Sequence, residues 1–87
     1  MAGRGRKDST SFDKHVGQKL REMRTAAKIS QTELGRGIGV SFQQIQKYEA
    51  GRNRMSAGQL WLLCRVLKLP ILSMFDGVTP KMFKAKK

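Results

Sequence analysis

Apolar and polar positions along this chain follow helical periods, and one local pattern marks three helix starts. The pattern is an apolar residue, Ser, two further residues, Glu or Gln, and a second apolar residue, and it occupies residues 29–34, 40–45 and 55–60. This is the signature of a capping box inside a hydrophobic staple, with the serine hydroxyl and the Glu or Gln side chain satisfying backbone N–H groups. The pattern predicts helices that begin at about Ser30, Ser41 and Ser56.

Two more helices complete the prediction. Upstream, Asp13 is a candidate N-cap for a helix whose apolar positions recur with helical spacing; these are Val16, Leu20, Met23 and Ala27. Downstream, Pro70 either stops the fourth helix or starts a last short one. Because no segment alternates with period two for long enough to form a strand, the sequence predicts an all-α domain of five helices over residues 12–77. Basic tails would flank it at residues 1–11 and 78–87.

The second and third helices are joined by a tight turn. Only ten residues separate Ser30 from Ser41, which leaves room for about two turns of helix and a short connection. Gly39 lies where that connection turns, and glycine tolerates the left-handed conformation that ends a helix. Gly35 lies where the two helices cross, so we expect no side chain larger than a methyl group to fit there. The two helices should meet at a sharp angle.

Residues 12–77 resemble the helix-turn-helix DNA-binding domain of the phage repressor and Cro type, the Xre family. The resemblance is carried by Gln31-Thr32-Glu33-Leu34-Gly35, by Ile38-Gly39-Val40 and by Ile45. It implies the lambda-repressor-like five-helix fold, with the helix-turn-helix at helices 2 and 3 and double-stranded DNA as the partner. The family usually has alanine at the position of Gly35. The resemblance also implies a structural ion pair between Arg24 and Glu49.

The outward positions of the third helix are candidates for contact with bases. The N-terminal residues of a helix in the major groove meet base edges, glutamine can bond adenine through two atoms, and an apolar side chain suits a thymine methyl. The predicted base-contacting residues are Phe42, Gln43, Gln46, Lys47 and Asn53. Outside this motif, such glutamines would be typical of a solvated helix face. Gln44 has a further interpretation, because its side chain is the third-residue partner of the cap at Ser41.

Contacts with the DNA backbone need only hydrogen-bond donors or positive charge. The predicted backbone-contacting residues are Gln31, Ser41, Gln44, Arg52 and Arg54. For the two arginines, the alternative is a solvated loop. A candidate DNA arm lies in the N-terminal tail and consists of Arg4, Arg6 and Lys7, for which a loose tail is an equal alternative.

The charge balance also favours a polyanionic partner. Eighteen Lys and Arg against six Asp and Glu give a net charge of +12, and nucleic acid is favoured over membrane because no segment is strongly amphipathic and unbroken. His15 and Cys64 are the single histidine and cysteine, and the acids are scattered. The sequence therefore predicts no catalytic pair, no metal site and no cofactor. Without an export signal or a membrane-spanning run, a cytoplasmic, nucleoid-associated location is expected.

The assembly and the regulatory role follow from the resemblance. Relatives of this type bind palindromic sites as dimers, so we predict a homodimeric repressor. After the motif, the chain has more apolar residues than one helix stripe needs, and the dimer interface would use some of them: Trp61, Leu62, Ile71, Leu72, Met74 and Phe75. The alternative is that a small five-helix core uses all of them. Two other functions stay open, an antitoxin that binds a protein toxin and a restriction-modification controller protein. Contact with RNA polymerase would be needed for activation, and no residue identifies such a surface.

Overall fold

The computed structural model describes residues 10–83, in which helices are joined by turns and short loops. Its elements, in chain order, are α1 (Ser11–Ala26), α2 (Gln31–Ile38), α3 (Phe42–Glu49), α4 (Ala57–Leu67) and two 3₁₀-helices (Ile71–Phe75 and Pro80–Phe83). The predicted all-α class is confirmed, but the predicted count of five α-helices is wrong. The segment after Pro70 forms a 3₁₀-helix, in which the Ser73 N–H donates to the Pro70 carbonyl at 2.9 Å. Extended backbone at Asp76 and a positive φ of 86° at Gly77 end it before an α-helix can develop.

Serine or threonine side chains cap every α-helix, though not always as predicted. The first helix begins earlier than expected: Thr10 is its N-cap, and Asp13 is the reciprocal third-residue partner. Ser30 also forms a complete capping box. At Ser41 and Ser56 only the serine half is present, at 3.1 Å from the backbone N–H of the third residue. The glutamine side chains expected to bond back do not do so.

The core lies where α1, α2, α3, α4 and the first 3₁₀-helix meet. Its fully buried side chains are Leu20, Leu34, Ile45, Leu63 and Met74. Each α-helix contributes at least one of these, so removing any one helix would expose the others' apolar faces. Cys64 is also buried there, and burial raises the pKa of its thiol. This cysteine is a core residue.

Two glycines set how closely the helices approach. A Cβ at Gly17 would lie 2.3 Å from the carbonyl oxygen of Tyr48 and 2.7 Å from that of Glu49, so α1 passes directly against the C-terminal end of α3. A Cβ at Gly35 would lie 2.5 Å from the carbonyl oxygen of Val40. The helices therefore approach at position 35 even more closely than expected, because the turn backbone occupies the space that a methyl group would need.

The C-terminal part of the described chain returns to α1. The Phe83 ring lies 4.8 Å from the Phe12 ring, measured between centroids, and the Phe75 ring lies 6.2 Å from it. Residues 80–83, expected in the C-terminal tail, thus pack on the domain because two phenylalanines cover Phe12. No helix within residues 10–83 is long and apolar enough to cross a membrane.

Candidate nucleic-acid interface

The outward face of α3 is an exposed surface of the helix-turn-helix that carries polar side chains. Helical periodicity turns Ile45 and Tyr48 into the core, where they are 0% and 7% exposed. The opposite face presents four of the predicted base-contacting side chains to solvent: Phe42, Gln43, Gln46 and Lys47. Phe42 remains 43% exposed although it is a large apolar residue. This ring is therefore accessible for contact with a partner.

A buried ion pair holds α3 in place. Arg24 Nε donates to Glu49 Oε2 at 2.6 Å, and its Nη2 donates to Oε1 at 3.2 Å. Both side chains are largely shielded, at 12% and 5% exposure. Arg24 Nη1 also donates to the Ile29 carbonyl at 2.9 Å, which ties the α1–α2 connection to the same group. The angle at which α3 projects is therefore fixed by three segments at once.

Gln31 joins this network at the start of α2. Its Nε2 donates to Glu49 Oε1 at 3.0 Å, so part of its donor capacity is used within the protein. The predicted contact between Gln31 and a phosphate stays a prediction. What the structure adds is that the Gln31 side chain is oriented by the same carboxylate that fixes α3.

Gln44 is engaged differently from the capping role considered for it. Its Nε2 donates to Asn53 Oδ1 at 3.1 Å, across the loop that follows α3. Asn53 Nδ2 in turn donates to the Arg52 carbonyl at 3.2 Å. The loop therefore folds back so that Asn53 lies beside the first turn of α3.

Arg54 forms a contact that sequence reasoning missed. Its Nε lies 2.7 Å from Asp13 Oδ1, and its guanidinium stands 5.5 Å from the centre of the Phe12 ring. Burial alone would raise the pKa of the Asp13 carboxyl, but hydrogen bonds from Arg54 and Thr10 outweigh it and hold that pKa below its ordinary value. Nothing local in the sequence signals this pair, because forty-one residues separate the partners. Arg54 thus joins the loop that follows α3 to the start of α1. Arg52 and Arg54 are both exposed in this loop.

The candidate arm residues Arg4, Arg6 and Lys7 lie outside the described residues. The described chain starts at Thr10, whose hydroxyl oxygen is 3.4 Å from Arg54 Nη2. The first described residue therefore lies beside the loop that follows α3.

The apolar residues proposed for a dimer interface separate into three groups by exposure. Met74 is 0% exposed, so it has no surface to offer a partner. Phe75 is half-buried against Phe12. Leu62 and Ile71 are partly buried. Trp61 and Leu72 are 54% and 75% exposed. The interface prediction is therefore wrong for Met74, which the monomer core needs, and is carried best by Trp61 and Leu72.

Comparison with known proteins identifies the family. The helix-turn-helix family matches residues 20–73, which is more than half of the chain, and the chain belongs to this family of DNA-binding transcriptional regulators. It is 53% identical, over 66 residues, to a transcriptional regulator in the ATPase CF(0) region of Rhodospirillum rubrum. That alignment covers 76% of this chain and 61% of the relative, so the chain spans about three fifths of the relative's length.

Solved structures of the same type are also similar. The restriction-modification controller protein C.AhdI from Aeromonas hydrophila superposes with a TM-score of 0.69 at 29% identity, covering 71% of this chain and 94% of that one. The P22 c2 repressor, solved with a synthetic operator, gives a TM-score of 0.65 at 27% identity with the same coverage of both chains. The predicted resemblance to the phage repressor and Cro type is confirmed.

Proposed function

We propose that this chain is a sequence-specific transcriptional regulator that binds double-stranded DNA by placing α3 in the major groove. The observation that carries the proposal is the two-sided character of α3. Its inner face is locked by Ile45, Tyr48 and the Glu49 ion pair, while its outer face keeps glutamine, lysine and phenylalanine in solvent. A rigid helix with free amide groups is what direct contact with base edges requires.

Within α3, Gln43 is the side chain proposed to determine base preference. It lies in the first turn, next to Phe42, at the end of a recognition helix that meets base edges. A glutamine amide can bond N6 and N7 of adenine together, and the adjacent phenyl ring suits the methyl group of thymine. We propose Gln46 and Lys47, one turn further along, as the contacts that extend the reading along the groove.

The DNA backbone would be held from both sides of α3. Gln31 and Ser41 lie at the N-terminal ends of α2 and α3, where backbone N–H groups favour phosphate. Arg52 is exposed in the loop after α3 and can approach the opposite strand's phosphates. The +12 net charge supports long-range attraction to such a polyanion. We propose that the arm residues Arg4, Arg6 and Lys7 add to these contacts.

Binding variants test this division between base and backbone contacts. First, duplexes bound by the protein are selected from a random pool at fixed salt. Gln43→Ala should then cost about 1–3 kcal/mol on the selected duplex and relax its base preference, whereas Arg52→Ala should weaken selected and random duplexes alike and reduce the salt slope by about 1. Gln18→Ala and Arg21→Ala, on exposed positions of α1, are the matched controls. Equal behaviour of Gln43→Ala and Arg52→Ala on both duplexes would refute the assigned roles.

A homodimer on a palindromic operator is the proposed functional unit. One helix-turn-helix reads few base pairs, and relatives of this type pair two half-sites about 10–10.5 base pairs apart. The exposed Trp61 and Leu72 supply apolar surface for such pairing. A selected inverted repeat with this spacing would support the dimer. A single half-site, bound with a stoichiometry of one chain, would contradict it.

Repression is the proposed regulatory outcome, supported by similarity to the P22 c2 repressor at 27% identity. The second candidate is a restriction-modification controller protein, favoured by similarity to C.AhdI at 29% identity and a TM-score of 0.69. Transcription from a promoter carrying the selected operator separates the two, since a repressor lowers it at all concentrations and a controller that activates raises it over part of the range. The comparisons lend no support to a toxin or RNA polymerase as partner. We place the protein with the chromosomal DNA in the cytoplasm.

A further inference from the structure

The loop after α3 is turned back onto the first turn of that helix. Gly51, with a positive φ of 74°, reverses the chain just after α3 ends. Two residues later, Asn53 Oδ1 accepts a hydrogen bond from Gln44 Nε2 at 3.1 Å. Asn53 therefore lies beside the N-terminal end of α3, where base contacts are expected.

The Asn53 amide is held at both of its ends. Its oxygen faces the Gln44 amide nitrogen, and its nitrogen donates to the Arg52 carbonyl at 3.2 Å. Rotating this amide by half a turn would bring two amide nitrogens together at one end and two oxygens together at the other. Both hydrogen bonds would be lost in the same movement, so the two contacts select one orientation jointly.

We infer that Gln44 is a positioning residue that determines which edge of the Asn53 amide is presented to DNA. This inference rests on the proposed DNA-binding function and makes Gln44 neither a direct base contact nor a phosphate contact. Once the two internal bonds are made, Asn53 retains one N–H hydrogen and one oxygen lone pair, in a defined order along the amide. A base pair that offers the complementary order is then preferred over one that offers the reverse.

The surroundings of Gln44 agree with this role. Gln43 and Gln46 are exposed, whereas Gln44 is half-buried and spends its amide nitrogen on Asn53. Its backbone N–H is already taken by the Ser41 hydroxyl at 3.1 Å. Gln44 is thus held at its backbone by the cap and at its side chain by the loop, which makes it a rigid support for Asn53.

A double-mutant cycle on the duplex recovered by selection tests the inference. Gln44→Leu removes the amide donor and leaves an apolar side chain, and Asn53→Ala removes the oriented amide. Both single variants should lose preference at the same base pair by about fivefold or more, and the double variant should be within about twofold of Asn53→Ala. Gln46→Leu is the control: in the double variant with Asn53→Ala, the fold-losses of base preference of the two single variants should multiply. The inference would be overturned if the losses of Gln44→Leu and Asn53→Ala multiplied in the double variant, or if Gln44→Leu lost preference at a different base pair from Asn53→Ala.

A second measurement uses the free protein and needs no DNA. The side-chain amide resonances of Asn53 should shift in the ¹H–¹⁵N spectrum of Gln44→Leu and stay in place in Gln46→Leu. Unchanged Asn53 resonances in Gln44→Leu would overturn the inference even if the variant bound DNA poorly. If the unsubstituted protein selects no sequence at all, the proposed function itself fails. If the protein binds a specific sequence but the losses of Gln44→Leu and Asn53→Ala multiply in the double variant, the proposed function stands and only the role of Gln44 is refuted.

Discussion

Substituting Gly17 by alanine tests how strictly the approach of α1 to α3 is set. The added Cβ would lie 2.3 Å from the Tyr48 carbonyl oxygen and 2.7 Å from that of Glu49, whereas ordinary contacts begin at about 3.4 Å. Because both contacts are backbone atoms, no side chain can rotate away. The two helices would have to separate by roughly 1 Å at this point.

The expected magnitude is a balance of two opposite effects. Alanine inside a helix is favoured over glycine by about 1 kcal/mol, which would stabilise the variant if space were free. Overpacking typically costs 1–3 kcal/mol, and a clash with a carbonyl belongs near the upper end or beyond. Arg24 lies two turns further along the same face of α1, so separation also stretches its ion pair with Glu49. We expect a net loss of about 2 kcal/mol or more, which lowers Tm by about 10 °C.

Urea and thermal unfolding followed by circular dichroism measure this loss, and Gly58→Ala is the matched control. Gly58 lies in the first turn of α4, where an added Cβ meets only the Ser56 hydroxyl at 3.9 Å. That variant should be unchanged or stabilised by up to about 1 kcal/mol. Equal stability for Gly17→Ala and the unsubstituted protein would show that α1 and α3 adjust freely, and the argument from close approach would fail.

Three further substitutions probe the same scaffold. Glu49→Ala should cost about 3–5 kcal/mol in urea unfolding, because it leaves Arg24 shielded without its partner; a loss below about 1 kcal/mol would contradict this. Gly35→Ala should lose stability despite the better helix propensity of alanine, since the carbonyl of the turn occupies the space, and a gain would refute that contact. The pKa of Asp13 is lower in the folded than in the unfolded state. Its contribution to the free energy of unfolding is therefore fully present above the unfolded-state pKa and is lost as pH falls through the folded-state pKa. Arg54→Met should therefore destabilise the protein at neutral pH and much less in acid, and a difference independent of pH would exclude the pairing.

The helix starts show how much local sequence can settle. Ser30 and its partner three residues later form the capping box that the pattern predicted, because every group involved lies within one turn. The same pattern at Ser41 kept only its serine half, since the Gln44 side chain found Asn53 across the loop. Local spacing states which bonds are possible, and a more distant partner decides which are made.

Burial of the apolar surplus was not decided by local pattern either. Met74 and Leu72 are two positions apart and both apolar, yet Met74 is 0% and Leu72 is 75% exposed. The 3₁₀-helix after Pro70 has three residues per turn, so it turns them to different sides. Neither the type of this helix nor its docking against α1 could be derived from composition.

The sequence by itself determined the helical class, three of the four α-helix starts, the tight turn at Gly39 and the outward set on α3. These depend on caps, turn chemistry and periodicity, which act over a few residues. Tertiary structure alone decided the Asp13–Arg54 pair, the contact between Gln44 and Asn53, and the need for glycine at position 17. Each of these joins atoms far apart in the chain or measures the gap between two helices, and such distances exist only after the helices have packed.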